Sequence, residues 1–81
     1  MRLDKYLKVS RLIKRRTVAN EACDAGRILV NDKIARASYD VKVGDVLTIN
    51  LGANPISVKV VSVVEHAKKE DAALLYTIVQ Q

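Results

Sequence analysis

The sequence predicts a small single α+β domain, two short N-terminal helices packed on a small, mostly antiparallel sheet. Three observations carry that reading. Apolar residues between positions 3 and 25 recur at helical spacing. From residue 28 onward, short runs rich in Val and Ile alternate with turn signals at Asn31-Asp32, Gly44 and Gly52-Ala53-Asn54-Pro55. The chain has 81 residues, enough for one core and near the size at which a core barely stabilises a fold.

Leu3, Tyr6, Leu7 and Ser10 share one side of a helix over residues 3–9, while Arg2, Lys5 and Lys8 recur every third residue on the other. Two helical turns are not stable alone, so packing must hold them. Leu12 and Ile13 add apolar contacts ahead of Lys14-Arg15-Arg16. Residues 17–25 form the second helix, with Val18, Ala22 and Ala25 on one stripe, Ala19 and Cys23 beside it, and Glu21 and Asp24 outward. Thr17 is placed to cap this helix and Gly26 to end it in a positive-φ conformation.

Ile28-Leu29-Val30 reads as a buried strand and Lys33-Ile34 as its return. Asn31-Asp32 between them is a weaker turn signal than Asn-Gly, because Asp accepts positive φ less readily than Gly. Residues 35–40 are an irregular connection carrying Arg36, and residues 41–45 turn at Gly44. Strands are expected over residues 46–51 and 56–64, joined as a hairpin by the Gly52–Pro55 loop. A polar stretch over residues 65–71 then leads into a short helix over residues 68–75, and residues 76–79 favour extended structure.

Charge is one-sided. The chain carries 14 Lys/Arg and 9 Asp/Glu, a net +5, and residues 1–36 hold ten of the cations and four of the anions. The first half is therefore strongly basic and the second slightly acidic, with no obvious partners within the chain for the N-terminal cations. A clustered basic surface is the electrostatic footprint of a nucleic-acid binder, although a solvated face kept for solubility has the same composition. The junction at Lys14-Arg15-Arg16, beside the positive end of the second helix, is the best single place for a phosphate.

Other chemistries find little support. Cys23 and His66 are the only cysteine and histidine, too few for a tetrahedral zinc site, so no metal and no cofactor is expected. Cys23 reads as a small core residue and His66 as a surface histidine without a partner. No nucleotide-binding loop or nucleophile elbow is present, and a non-catalytic protein is expected. No apolar run approaches the roughly 20 residues of a membrane span, and charges interrupt the first residues where a signal peptide would be greasy; the expected location is the cytoplasm. With no Phe or Trp and three Tyr, base-by-base reading of single strands lacks its aromatic platforms, so recognition of a folded RNA by shape and backbone is expected.

The motifs RLDKYL, RRTVA, GRILVND and VKVGD, in that order from Arg2 to Asp45, resemble the S-four domain, the RNA-binding fold (alpha-L motif) named after small-subunit ribosomal protein four. Arg15 stands where that pattern has Ser or Thr, and Asp32 where it has Gly. The Val-rich strand and the tail EDAALLYT extend the likeness to the heat-shock protein fifteen family, most closely its RqcP branch of ribosome-associated quality-control proteins. The resemblance implies an S-four-like unit over residues 1–52, with residues 53–81 a strand and short C-terminal helix/strand extension packed on it. It implies binding to the split large ribosomal subunit through its rRNA and the adjacent peptidyl-tRNA, which is held in the P-site position. It further implies a partnership with an RqcH-like elongation factor that adds alanine tails without mRNA, and action as a monomer. Arg2 and Arg16 match the family's two helix-opening arginines and are the leading RNA contacts; Lys5, Lys8, Arg11, Lys14, Arg15, Arg27 and Arg36 form a second rank. A competing reading makes Arg2 a salt bridge to Asp4 or Glu21, and Asp4 and Glu21 tethers for neighbouring cations. At the level of function, the alternatives are recycling of large subunits in the manner of the heat-shock branch, a general RNA-binding module like those on RNA-modifying enzymes, and a DNA-binding helix-turn-helix.

Overall fold

The computed structural model describes residues 1–79, so the expected extension over residues 53–81 runs two residues past them. Two helices, α1 (Leu3–Val9) and α2 (Arg16–Asp24), precede five strands, β1 (Ile28–Val30), β2 (Lys33–Ile34), β3 (Val46–Ile49), β4 (Ile56–Val60) and β5 (Tyr76–Ile78). The strands form one sheet in the order β2-β1-β3-β4-β5, antiparallel throughout. No described helix is long and apolar enough to cross a membrane.

The helix α1 exists because its apolar side is entirely inside. Leu3, Tyr6 and Leu7 are fully buried, and Ser10 with them; each large side chain contributes roughly 1.5–3 kcal/mol of burial, which offsets the poor stability of so short a helix. Its first N–H groups find acceptors in the irregular connection, Leu3 N donating to Tyr39 O at 2.8 Å and Asp4 N to Ala37 O at 3.2 Å. Ala35, Ala37 and Val41 bury the inner side of that connection. The C-terminus of α1 closes at Arg11, which has φ +61° and donates its N–H to Lys8 O at 3.1 Å. A glycine would adopt that backbone without cost; here an exposed arginine does.

Helix α2 departs from expectation in register and in face. The Arg15 carbonyl already accepts Ala19 N at 3.0 Å, so Arg15 is the N-cap, Arg16 the first helical residue, and Thr17 lies inside without capping. The buried stripe is Ala19, Ala22 and Cys23, while Val18 is 42 % exposed and Ala25 lies outside. The reason is the closeness of α1: its bulky Leu3, Tyr6 and Leu7 share the core with the smallest side chains of α2. Burial pushes the Cys23 thiol up to about 11, with the charges of Asp4 and Asp24 adding to it, which leaves it an inert core group.

Two turns are held by one carboxylate. Asn31 and Asp32 both take positive φ, +51° and +68°, making the two-residue turn of the β1–β2 hairpin. Asp45 accepts Asn31 Nδ2 at 3.2 Å, Tyr39 Oη–H at 2.9 Å and Lys42 N at 3.0 Å. Asn31 Oδ1 in turn accepts Val46 N at 3.0 Å. The Gly44-Asp45 turn and the Asn31-Asp32 turn are thus one network.

Strands β3 and β4 are shorter than the expected 46–51 and 56–64. After Val60 the chain leaves the ladder because Val61 N and Ser62 N both donate to Leu75 O, at 2.8 and 3.1 Å. The expected helix over residues 68–75 is a single 3-10 turn, Ala72–Leu74. The Leu75 carbonyl also accepts the buried Tyr6 hydroxyl at 2.7 Å, fastening the C-terminal part of the chain to α1. Tyr6→Phe is expected to lower the unfolding free energy by about 1 kcal/mol, read from the denaturant midpoint. The Leu75 carbonyl keeps two other donors, so a loss well above that size would contradict the arrangement.

Candidate nucleic-acid interface

Asp4 is buried, and its carboxylate lies where the starts of α1 and α2 meet. Oδ1 accepts Lys5 N at 2.8 Å and Arg2 Nε at 3.2 Å; Oδ2 accepts Asn20 Nδ2 at 3.2 Å and Arg2 Nη2 at 3.4 Å. Arg16 Nε stands 3.5 Å from Oδ2. A carboxylate offers about four acceptor sites, and all are used. Burial alone would push the Asp4 carboxyl up, but the hydrogen bonds from Asn20, Arg2 and Lys5 N–H, with the Arg16 charge, hold it below the ordinary carboxylate value.

The consequence for the two leading arginines is that they are brought together. Their side chains remain 51 % and 49 % exposed, yet both turn an inner edge to the same anion. The alternative reading of Arg2 as a salt bridge to Asp4 is therefore present in the structure, without burying the guanidinium. The pairing of Arg16 across 12 positions, and the part of Asn20, escaped the sequence. The only hint was an acidic residue amid cations, two positions after Arg2.

Around this pair, Lys14 and Arg15 are exposed at the start of α2. That start has no side-chain cap and no acidic residue in its first turn, so the positive end of the helix dipole adds to the cationic field. Lys8 and Arg11 are exposed and line a small groove with Glu65 and His66. Lys5 is ion-paired with Glu65, which corrects the expectation that the N-terminal cations lack partners: Arg2, Lys5 and Arg16 all have one. Arg36 lies on the connection whose carbonyls accept the first N–H groups of α1. Arg27 does not join the set. It follows the C-terminus of α2, which lies about 12 Å along that helix from Arg16, and lines a shallow hollow with Val18, Glu21 and Leu51.

The tyrosines are committed. Tyr6 is fully buried, Tyr39 is bonded to Asp45 and half-buried, and Tyr76 packs partly against the core. What the surface offers a ligand is guanidinium and ammonium groups on a fixed frame, suited to phosphates and backbone geometry. Because the folded Asp4 value is depressed, the stability from its charge is complete above the unfolded carboxylate value of about 3.9 and is lost as pH falls through the lower folded value. The stability difference between the wild type and Asp4→Asn, measured by denaturation across pH, should be constant near neutrality and shrink on acidification through that range. A difference independent of pH would show that the charge is not the stabilising element.

Residues 1–47 match the S4 domain family. The protein named RQC P-site tRNA stabilizing factor in Bacillus subtilis is 54 % identical over 81 residues, covering 100 % of this chain and 94 % of that protein. The protein of the same name in Streptococcus pneumoniae is also 54 % identical, over 100 % of this chain and 92 % of its own. Among solved structures, the trimeric Heat Shock Protein 15 of Vibrio cholerae superposes with a TM-score of 0.91 at 25 % identity, over 98 % of this chain and 81 % of that one.

Proposed function

The chain belongs to the S4 domain family, among the RQC P-site tRNA stabilizing factors, and from that premise we propose that it is a non-catalytic RNA-binding factor of ribosome-associated quality control. In this reading it binds, in the cytoplasm, the large ribosomal subunit left after a stalled ribosome splits. It grips rRNA and the peptidyl-tRNA together and holds the tRNA in the P-site position while an RqcH-like partner extends the nascent chain with alanine. It acts as a monomer.

The observation that supports this best is the pair Arg2 and Arg16 on one buried carboxylate, at the foot of a helix whose positive end is uncapped. Two guanidiniums in fixed relation, with Lys14, Arg15, Lys8 and Arg11 on the surrounding surface, suit a curved phosphate backbone better than a base edge. The full-length identity favours the tRNA-stabilising branch over the recycling role of the heat-shock branch: 54 % against 25 % for the Vibrio structure. The beta-rich second half and the absence of free aromatic platforms fit neither a helix-turn-helix nor a reader of single strands.

The test is co-sedimentation with purified large subunits, with and without peptidyl-tRNA, across a salt series. Preferential binding to the tRNA-bearing subunit is expected, falling on the order of 10³-fold between low and moderate salt for six to eight phosphate contacts. Arg16→Ala should weaken that binding while leaving the melting temperature nearly unchanged, because Arg2, Lys5 N–H and Asn20 satisfy the Asp4 carboxylate without Arg16. Equal binding to both kinds of subunit would withdraw the tRNA-stabilising role and leave a general RNA-binding module.

A further inference from the structure

We propose that Asp4 is a positioning residue for RNA binding: an acidic side chain that strengthens the grip on a polyanion by holding Arg2 and Arg16 as one unit. The proposal rests on the reading of this face as the RNA-binding face, and it reverses the sign that charge alone would give.

The geometry carries the argument. Two guanidiniums next to each other repel, and a flexible surface arginine loses much rotamer freedom when it is fixed on a ligand. Asp4 removes both costs before RNA arrives. Its carboxylate lies between the two cations, accepting Arg2 Nε and Nη2 at 3.2 and 3.4 Å and facing Arg16 Nε at 3.5 Å. Each guanidinium has five N–H donors, so at least three on each stay available, on side chains that are half-exposed. Asp4 itself cannot meet a phosphate, because its side chain is only 3 % exposed and its acceptor sites are filled from within by Lys5 N–H and Asn20 as well. The anion is therefore hidden from the RNA while the cations it orders are not. Fixed donors in a planar fork also explain why both positions hold Arg, since the single point charge of Lys cannot serve a carboxylate on one edge and a phosphate on the other.

The test uses fluorescence anisotropy with labelled tRNA as a structured-RNA probe, across a salt series, with the full chain. Asp4→Asn adds one to the net charge of +5, and on charge alone it should bind more tightly. The proposal predicts weaker binding, by roughly tenfold or more, as both arginines lose their charge-assisted contacts to phosphate. It also predicts a salt slope smaller in magnitude by about 1.5, the loss of two phosphate contacts. The same substitution placed on Arg2→Ala/Arg16→Ala should have no further effect. Arg16→Lys, a surface change that preserves the charge and spares the fold, should bind as weakly as Arg16→Ala. Binding by Asp4→Asn equal to or tighter than wild type, or full rescue by Arg16→Lys, would overturn the proposal while leaving the RNA-binding reading intact. Failure of the wild-type chain to bind tRNA even at low salt would overturn both.

Discussion

A single buried carboxylate, Asp4, ties the start of α1 to the start of α2, and the rest of the molecule makes that junction rigid. Neither helix is long enough to be stable by itself. They persist because Leu3, Tyr6 and Leu7 on one meet Ala19, Ala22 and Cys23 on the other in one core, and because the connection at residues 35–40 supplies acceptors for the first N–H groups of α1. Burying an anion among apolar neighbours is costly unless its hydrogen bonds are complete. Here they are complete, one of the donors being Arg2, and the Arg16 guanidinium adds its charge from 3.5 Å.

A second carboxylate does the comparable work inside the sheet end. Asp45 joins the β1–β2 turn, Tyr39 and the turn at Gly44, and Tyr39 O in turn accepts the N–H of Leu3. The chain of contacts from sheet to connection to α1 is continuous. A surface meant to match the spacing of phosphates benefits from that stiffness, since each side chain ordered in advance need not be ordered on binding. At the other end, the Tyr6 hydroxyl and the Leu75 carbonyl fasten the last strand to α1, so the residues beyond the S4-matching segment also brace it.

Much of this was legible in the sequence. Helix α1, the Asn31-Asp32 turn, the β1–β2 hairpin, the positive φ at Gly26, the turn at Gly44, and the hairpin of β3 and β4 all follow from local signals: apolar spacing, turn residues and β-branched runs. The misses share one cause, which is tertiary contact. Val18 and Ala25 look like core by periodicity, but the side of α2 that packs against α1 is the one carrying Ala19, Ala22 and Cys23. Residues 61–64 look like strand by composition, but two successive N–H groups converge on Leu75 O. The basic face was legible as composition, and the Arg2–Asp4 pair as an alternative, whereas the other partners were not, because Arg16 and Asn20 reach Asp4 from the next helix and Glu65 reaches Lys5 from 60 residues away. Arg27, equally basic in the sequence, belongs to another part of the surface.

The claim that a hidden anion organises the RNA-binding arginines is tested most directly by side-chain NMR. In isotope-labelled protein, the Nε–Hε resonances of Arg2 and Arg16 report the contact with Asp4, and addition of tRNA reports the contact with phosphate. The account predicts that both resonances are visible and protected from exchange in the free protein, and that both shift together as RNA is added. Resonances lost to rapid exchange in the free protein, or unmoved while Lys8, Lys14 and Arg15 respond, would contradict it.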